Sequence, residues 1–106
     1  IQVPVIAEEK SLKDFFTKNK LQLLSKTIIT DKEIDFEAKT LSELGLLHFF
    51  VKYLDKAKIT EGDLSLAWTQ AVTKAMPLLL VSTGTLGKKA ELLLEKQFRG
   101  AIFKKL

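Results

Sequence analysis

The sequence predicts an all-α protein: four or five helices packed as a small bundle, in a single domain spanning residues 1–106. Three observations predict it. Hydroxyl and carboxylate residues recur in pairs at helix-start spacing, the segment 41–57 is apolar enough to read as a central helix, and two later segments repeat apolar residues at helical intervals.

Residues 1–10 read as an extended lead-in, since Pro4 disfavours helix around it. Ser11 and Asp14 then stand at the N-cap and third helical positions, and Leu12, Phe15, Phe16, Leu23 and Leu24 follow at roughly helical spacing. Residues 21–30 fit helix or strand, with 26–30 readable as a short extended piece. Thr30 with Glu33, Thr40 with Glu43 and Thr60 with Asp63 repeat the cap pattern. In each, the hydroxyl would accept from amides that the first turn leaves free, and the carboxylate would suit the positive end of the helix dipole. The third is the strongest start, because Ile59 and Leu64 flank it as a hydrophobic staple.

In the segment 41–57, Leu44, Leu46, Leu47, Phe49, Phe50, Val51, Tyr53 and Leu54 cover more than half of a helical wheel. Only His48, Lys52, Asp55 and Lys56 form a polar strip, as expected of a helix covered on several sides. Leu64, Ala67, Trp68, Ala71, Val72, Ala75 and Met76 share one face of the next helix, which Pro77 ends or kinks. Residues 82–85 form a loop, after which Leu86, Ala90, Leu93, Leu94, Phe98 and Ala101 trace the inner face of a last helix.

Composition excludes several classes. There is no cysteine, so disulfides and thiolate metal sites are absent. The longest apolar run, residues 77–81, is far below the ~18 residues of a membrane-spanning helix. The first residue, Ile1, is consistent with a fragment or a processed chain and leaves the compartment open. Of the net charge of +4, residues 1–53 contribute nothing, with eight lysines against eight acids, while residues 54–106 hold nine basic residues against five acids.

Candidate chemistries fall one by one. His48 is the only histidine and has no nucleophile-elbow context, so it reads as a solvated surface residue. Asp31, Glu33, Asp35 and Glu37 alternate like the start of a calcium loop, but Phe36 and Ser42 occupy the positions that need glycine and the closing acid. Gly84, Gly87, Lys88 and Lys89 approach a phosphate loop, yet the glycine spacing is too short and Lys89 replaces the hydroxyl residue. Arg99 is the only arginine, and most lysines are interleaved with acids, which argues against sequence-specific nucleic-acid recognition. No enzyme, cofactor or metal site is expected on this reading.

What remains is the last helix. Lys88, Leu92, Lys96, Arg99 and Phe103 fall on one stripe opposite its inner face, and apolar groups among lysines are the anatomy of a partner-binding surface. The expected function is therefore a non-enzymatic interaction module that offers this basic helix to another protein, acidic or amphipathic, or to an anionic surface. The alternative is a processed, secreted or periplasmic bundle that binds an apolar ligand or a membrane surface. Residues 47–106 loosely resemble the N-terminal helical domain of transcription elongation factor S-II and integrase-binding domains, through Ile59–Thr60, Leu64, Ala71–Val72, Leu93 and Phe98. The pattern departs at Thr69–Gln70, where that family has Ile–Gly, and at Phe98, where it has tryptophan, so the resemblance carries no functional assignment.

Overall fold

A computed structural model describes residues 7–98 and 100–106; residues 1–6 of the expected 1–10 lead-in and Arg99 lie outside the described residues, while residues 7–10 of that lead-in are helical and not extended. The fold is mixed α/β, which corrects the all-α expectation, and no helical bundle is present among them. The elements are α1 (Ala7–Lys18), β1 (Gln22–Thr30), β2 (Glu33–Ser42), β3 (Gly45–Leu54), β4 (Lys58–Ile59), α2 (Glu61–Thr73), β5 (Leu78–Ser82), β6 (Thr85–Leu86), α3 (Lys88–Lys96) and β7 (Ile102–Lys105). The likeness to the S-II helical domain falls with the bundle, because residues 47–106 contribute strands to a sheet.

The main sheet runs β1-β2-β3-β5-β7, with β4 and β6 forming a separate short parallel pair. β1, β2 and β3 are an antiparallel meander, whereas β3, β5 and β7 are parallel. Parallel neighbours need a crossover, and α2 and α3 supply the two crossovers. Both crossovers step in the same direction across the sheet, so crossovers of one hand lay both helices on the same face.

The residues explain why strands win. From Glu33 to Ala38 the sequence alternates acid and apolar, and the burial follows: Ile34, Phe36 and Ala38 are buried, while Glu33, Asp35 and Glu37 are not. The alternation that resembles a calcium loop is thus the period-two signature of a two-faced strand. The apolar segment 41–57 is no helix. Its middle is β3, whose residues Phe50 to Leu54 are all buried because helices cover both faces of the sheet there. The run 78–81 is likewise a fully buried central strand, β5.

On one face, α1 sets Leu12 and Phe16 against Ile34, Phe36, Val51, Tyr53, Leu79 and Val81. On the other, α2 and α3 set Leu64, Ala67, Ala71 and Ala90 against Phe50, Leu54, Leu78 and Leu80. Trp68 is half-buried and stacks on Phe98 with ring centroids 4.7 Å apart. α3 ends at Lys96, so the long last helix of the sequence reading is a short helix followed by an edge strand.

Of the expected helix starts, one is realised. Thr60 caps α2 with a complete capping box to Asp63, and the staple residues Ile59 and Leu64 are buried. Thr30 instead accepts from the Lys32 amide in the β1–β2 turn, and Thr40 lies within β2. α1 begins four residues before Ser11, whose side chain is outside the described ones.

Gly84 is held close to the chain preceding β4: a Cβ there would overlap the carbonyl oxygens of Lys56 and Ala57. Gly84→Ala is expected to cost about 3 kcal/mol in urea unfolding, since backbone rather than a flexible side chain has to yield. Burial raises the pKa of Asp63, but hydrogen bonds from Lys56, the Thr60 amide and the Thr60 hydroxyl outweigh it and hold the carboxyl below its ordinary value of 3.8. The unfolded chain then binds the extra proton, so the stabilisation is complete above the ordinary value and is lost as pH falls through the folded one. Asp63→Ala should cost about 1 kcal/mol at neutral pH. Acid unfolding curves should show the difference from wild type shrinking as pH falls below 3.8.

Candidate functional site

The sheet has two unequal halves on the face that carries α2 and α3. Those helices cover β3, β5 and β7, but the described residues place no helix over β1 and β2 on that side. The polar alternates of β2 are turned to this uncovered half, because Ile34, Phe36 and Ala38 take the α1 side. The register sets Glu33 opposite Leu54, Asp35 opposite Lys52, Glu37 opposite Phe50 and Lys39 opposite His48.

At the boundary between the covered and open halves lies Lys52. Its side chain is only 2% exposed. Its ammonium group meets Glu33 Oε2 at 2.6 Å and Asp35 Oδ1 at 2.9 Å, and donates to Gln70 Oε1 of α2 at 2.8 Å. Two carboxylates and a carboxamide therefore keep a cation inside the sheet–helix layer, where an unpaired ammonium would cost several kcal/mol. The Asp35 Oδ1 contact is ionic and close, yet that buried oxygen receives no donor in hydrogen-bond geometry.

Beside this cluster opens a cleft of about 140 Å³ lined by Ser25, Thr27, Asp35, Phe36, Glu37, Phe50 and Lys74. Ser25 Oγ donates to Glu37 Oε2 at 3.0 Å, and Lys74, the C-cap residue of α2, stands 5.9 Å above the Phe50 ring. At about 30 Å³ per water, the cleft holds roughly four or five waters. It is too small for a nucleoside and large enough for a hydrated cation or one phosphate group. Glu33, Asp35 and Glu37 on this face are matched by Lys52, Lys74 and, one rung along β2 from Glu37, Lys39. Among the described residues no three His, Cys, Asp or Glu side chains form a metal cage. Any cation held here would take one or two carboxylates from the protein and its other ligands from water or substrate, the habit of magnesium.

The residues expected to form a partner surface are divided by the structure. Lys88, Leu92 and Lys96 are exposed on α3, whereas Phe103 is on β7 and packs against the cluster beneath the helices. Arg99 is outside the described residues. The interaction module built on a long basic C-terminal helix is overturned with that helix, as is the helical bundle sheltering an apolar ligand. His48 is exposed, on β3 rather than on a helix. No helix among the described residues is long and apolar enough to cross a membrane.

Sequence reasoning missed Lys52, Asp35, Glu37 and Gln70 as a group. The available signal was a lone lysine inside a strand-length apolar run, preceded by an acid–apolar alternation; together these describe a buried strand with a charged neighbour. Compared with protein-family models, with curated proteins and with solved structures, the chain matches none.

The cluster is a desolvated unit, so breaking it differs from replacing it. Lys52→Met is expected to cost about 3–5 kcal/mol in urea unfolding by stranding Glu33 and Asp35. Adding Glu33→Leu and Asp35→Leu to Lys52→Met should recover most of that loss, because apolar groups then fill the layer.

Proposed function

We propose that the chain is a divalent-cation-dependent phosphodiesterase acting on nucleic-acid backbone, with its centre at Asp35, Glu37 and Lys52. The observation that carries this reading is the pair Asp35 and Glu37 on the wall of a small cleft, with Asp35 held from behind by the buried Lys52. An apolar residue would serve stability equally well or better at such a place, so the cluster fits a chemical role.

The roles follow from the geometry. Asp35 and Glu37 would hold a cation such as magnesium through their carboxylates, and the cation would supply Lewis-acid chemistry toward a phosphoryl oxygen and water. Lys52 is a positioning residue: it orients Asp35 through their ion pair and limits the repulsion among the three carboxylates of β2. Gln70 fixes Lys52 in turn. Ser25 orients Glu37, and Lys74 offers a cation at the cleft to a phosphate oxygen. In the reaction a water oxygen bonds to phosphorus and gives its proton to solvent, the ester P–O bond breaks, and the leaving oxygen takes up a proton from solvent. The positive excess lies in residues 54–106, of which Lys74 reaches the cleft and offers its charge to a phosphate group. Recognition would rest on backbone and not on base sequence, in keeping with a single arginine. This reading makes the chain an enzyme, where the sequence alone leads to the expectation of none.

The test is cleavage of DNA and RNA, single- and double-stranded, with magnesium or manganese and with a chelator. Cation-dependent cleavage is expected, with Asp35→Asn and Glu37→Gln lowering the rate at least ~100-fold at unchanged circular dichroism. Absence of cleavage with every substrate, or cleavage that survives both substitutions, would reduce the cluster to a structural ion network.

A further inference from the structure

We infer that Glu33 is a positioning residue for the cleft: by sharing the Lys52 ammonium group with Asp35, it leaves Asp35 the negative charge with which to hold a divalent cation. This inference rests on the cation-dependent reading above and adds the residue that sets the strength of that hold.

One ammonium group stands within ion-pair distance of two carboxylates, Glu33 Oε2 at 2.6 Å and Asp35 Oδ1 at 2.9 Å. A single carboxylate neutralises a buried lysine, and Gln70 already accepts a further hydrogen bond from the same group at 2.8 Å. The second carboxylate is therefore surplus to the burial of Lys52. Glu33 and Asp35 are alternate residues of β2, so they share a face and reach the one ammonium group from two positions along the strand. With Glu33 absent, Lys52 and Asp35 would form a closed neutral pair, and Asp35 would have little charge left for a cation. With Glu33 present at the shorter distance, the ammonium charge is divided and Asp35 keeps part of its own.

The surroundings give the two carboxylates different tasks. Asp35 lines the 140 Å³ cleft together with Glu37 and Lys74, and Glu33 does not. Glu33 instead lines a separate cavity of about 490 Å³, with Lys32, Asp55 and Lys56. A cation in the cleft thus meets Asp35 directly, whereas Glu33 acts on it through Lys52. That path is little screened, because the Lys52 side chain is only 2% exposed. Partners that stand behind a metal-binding group in this way typically change its metal affinity ~10–100-fold when they are removed.

The test is manganese binding to the intact chain without substrate, read from the loss of the free-ion electron paramagnetic resonance signal. Glu33→Gln should weaken binding at least about tenfold at unchanged circular dichroism. Asp55→Asn removes the same charge from the wall of the larger cavity, but Asp55 is bonded to Thr83 and not to Lys52, so affinity should stay nearly unchanged. Gln70 touches the same ammonium group and does not line the cleft. In the double variant Glu33→Gln, Gln70→Glu, the ammonium group again meets two carboxylates, and most of the lost affinity should return. Should Glu33→Gln fail to fold, Gln70→Glu alone reads the same effect in the opposite sense, as tighter binding. Unchanged affinity in Glu33→Gln, an equal loss in Asp55→Asn, or no recovery in the double variant would overturn the inference. Failure of wild type to bind manganese would overturn it together with the cation site. Manganese binding without cleavage of any nucleic acid would remove the phosphodiesterase reading alone.

Discussion

The parallel pairing of β3 with β5 is the constraint from which the rest of the molecule follows. Parallel neighbours cannot be joined by a tight turn, so the chain must leave the sheet after β3, cross one face and return. It does so through α2, and repeats the step through α3 to reach β7. Because both crossovers step the same way, both helices cover the same three strands. The meander of β1, β2 and β3 keeps one half of that face open. A boundary between covered and open sheet is therefore built into the topology, and it falls along β3.

That boundary accounts for the peculiar position of Lys52. On a fully open sheet its ammonium would be solvated, and under a fully covering layer it would be excluded. At the rim, its stem is buried between Phe50 and Leu54 while its head reaches Glu33 and Asp35 on the neighbouring strand and Gln70 on the covering helix. The interaction ties three elements together, β2, β3 and α2, and its low exposure makes it sensitive to the loss of any one partner. It also holds Asp35, which lines the small cleft beside the cluster, through an ion pair from behind. Structure and proposed chemistry meet at this point: the same carboxylate that neutralises the buried cation is the one that faces the cleft.

The two ends of the β2–β3 hairpin are correspondingly different in character. Toward Glu33 and Leu54 the rungs are buried or ion-paired, and toward Ser42 and Gly45 they are exposed and apolar. In an ordinary hairpin the exposed end is polar, because nothing stabilises exposed leucine there. Here the gradient runs the other way, and the turn that carries the exposed leucines is closed by two hydrogen bonds of the Ser42 hydroxyl.

By itself the sequence determined the features that depend on neighbours along the chain. The Thr60–Asp63 capping box and its Ile59–Leu64 staple are legible because a cap is made by residues three to five apart. The absence of cysteine and the excess positive charge of residues 54–106 are likewise matters of composition. The acid–apolar alternation at 33–38 was present too, and its period of two identifies a strand without any tertiary information. The run at 45–54 is different, since a continuous apolar stretch has no period and suits a buried strand as well as a central helix. Only pairing with β2 and β5 decided it, because strand partners are distant in sequence and their hydrogen bonds leave no local trace. The candidate site follows the same rule: Asp35, Lys52 and Gln70 come from three elements. Their convergence was settled by register and crossover, which assign each side chain to a face only after the sheet is assembled.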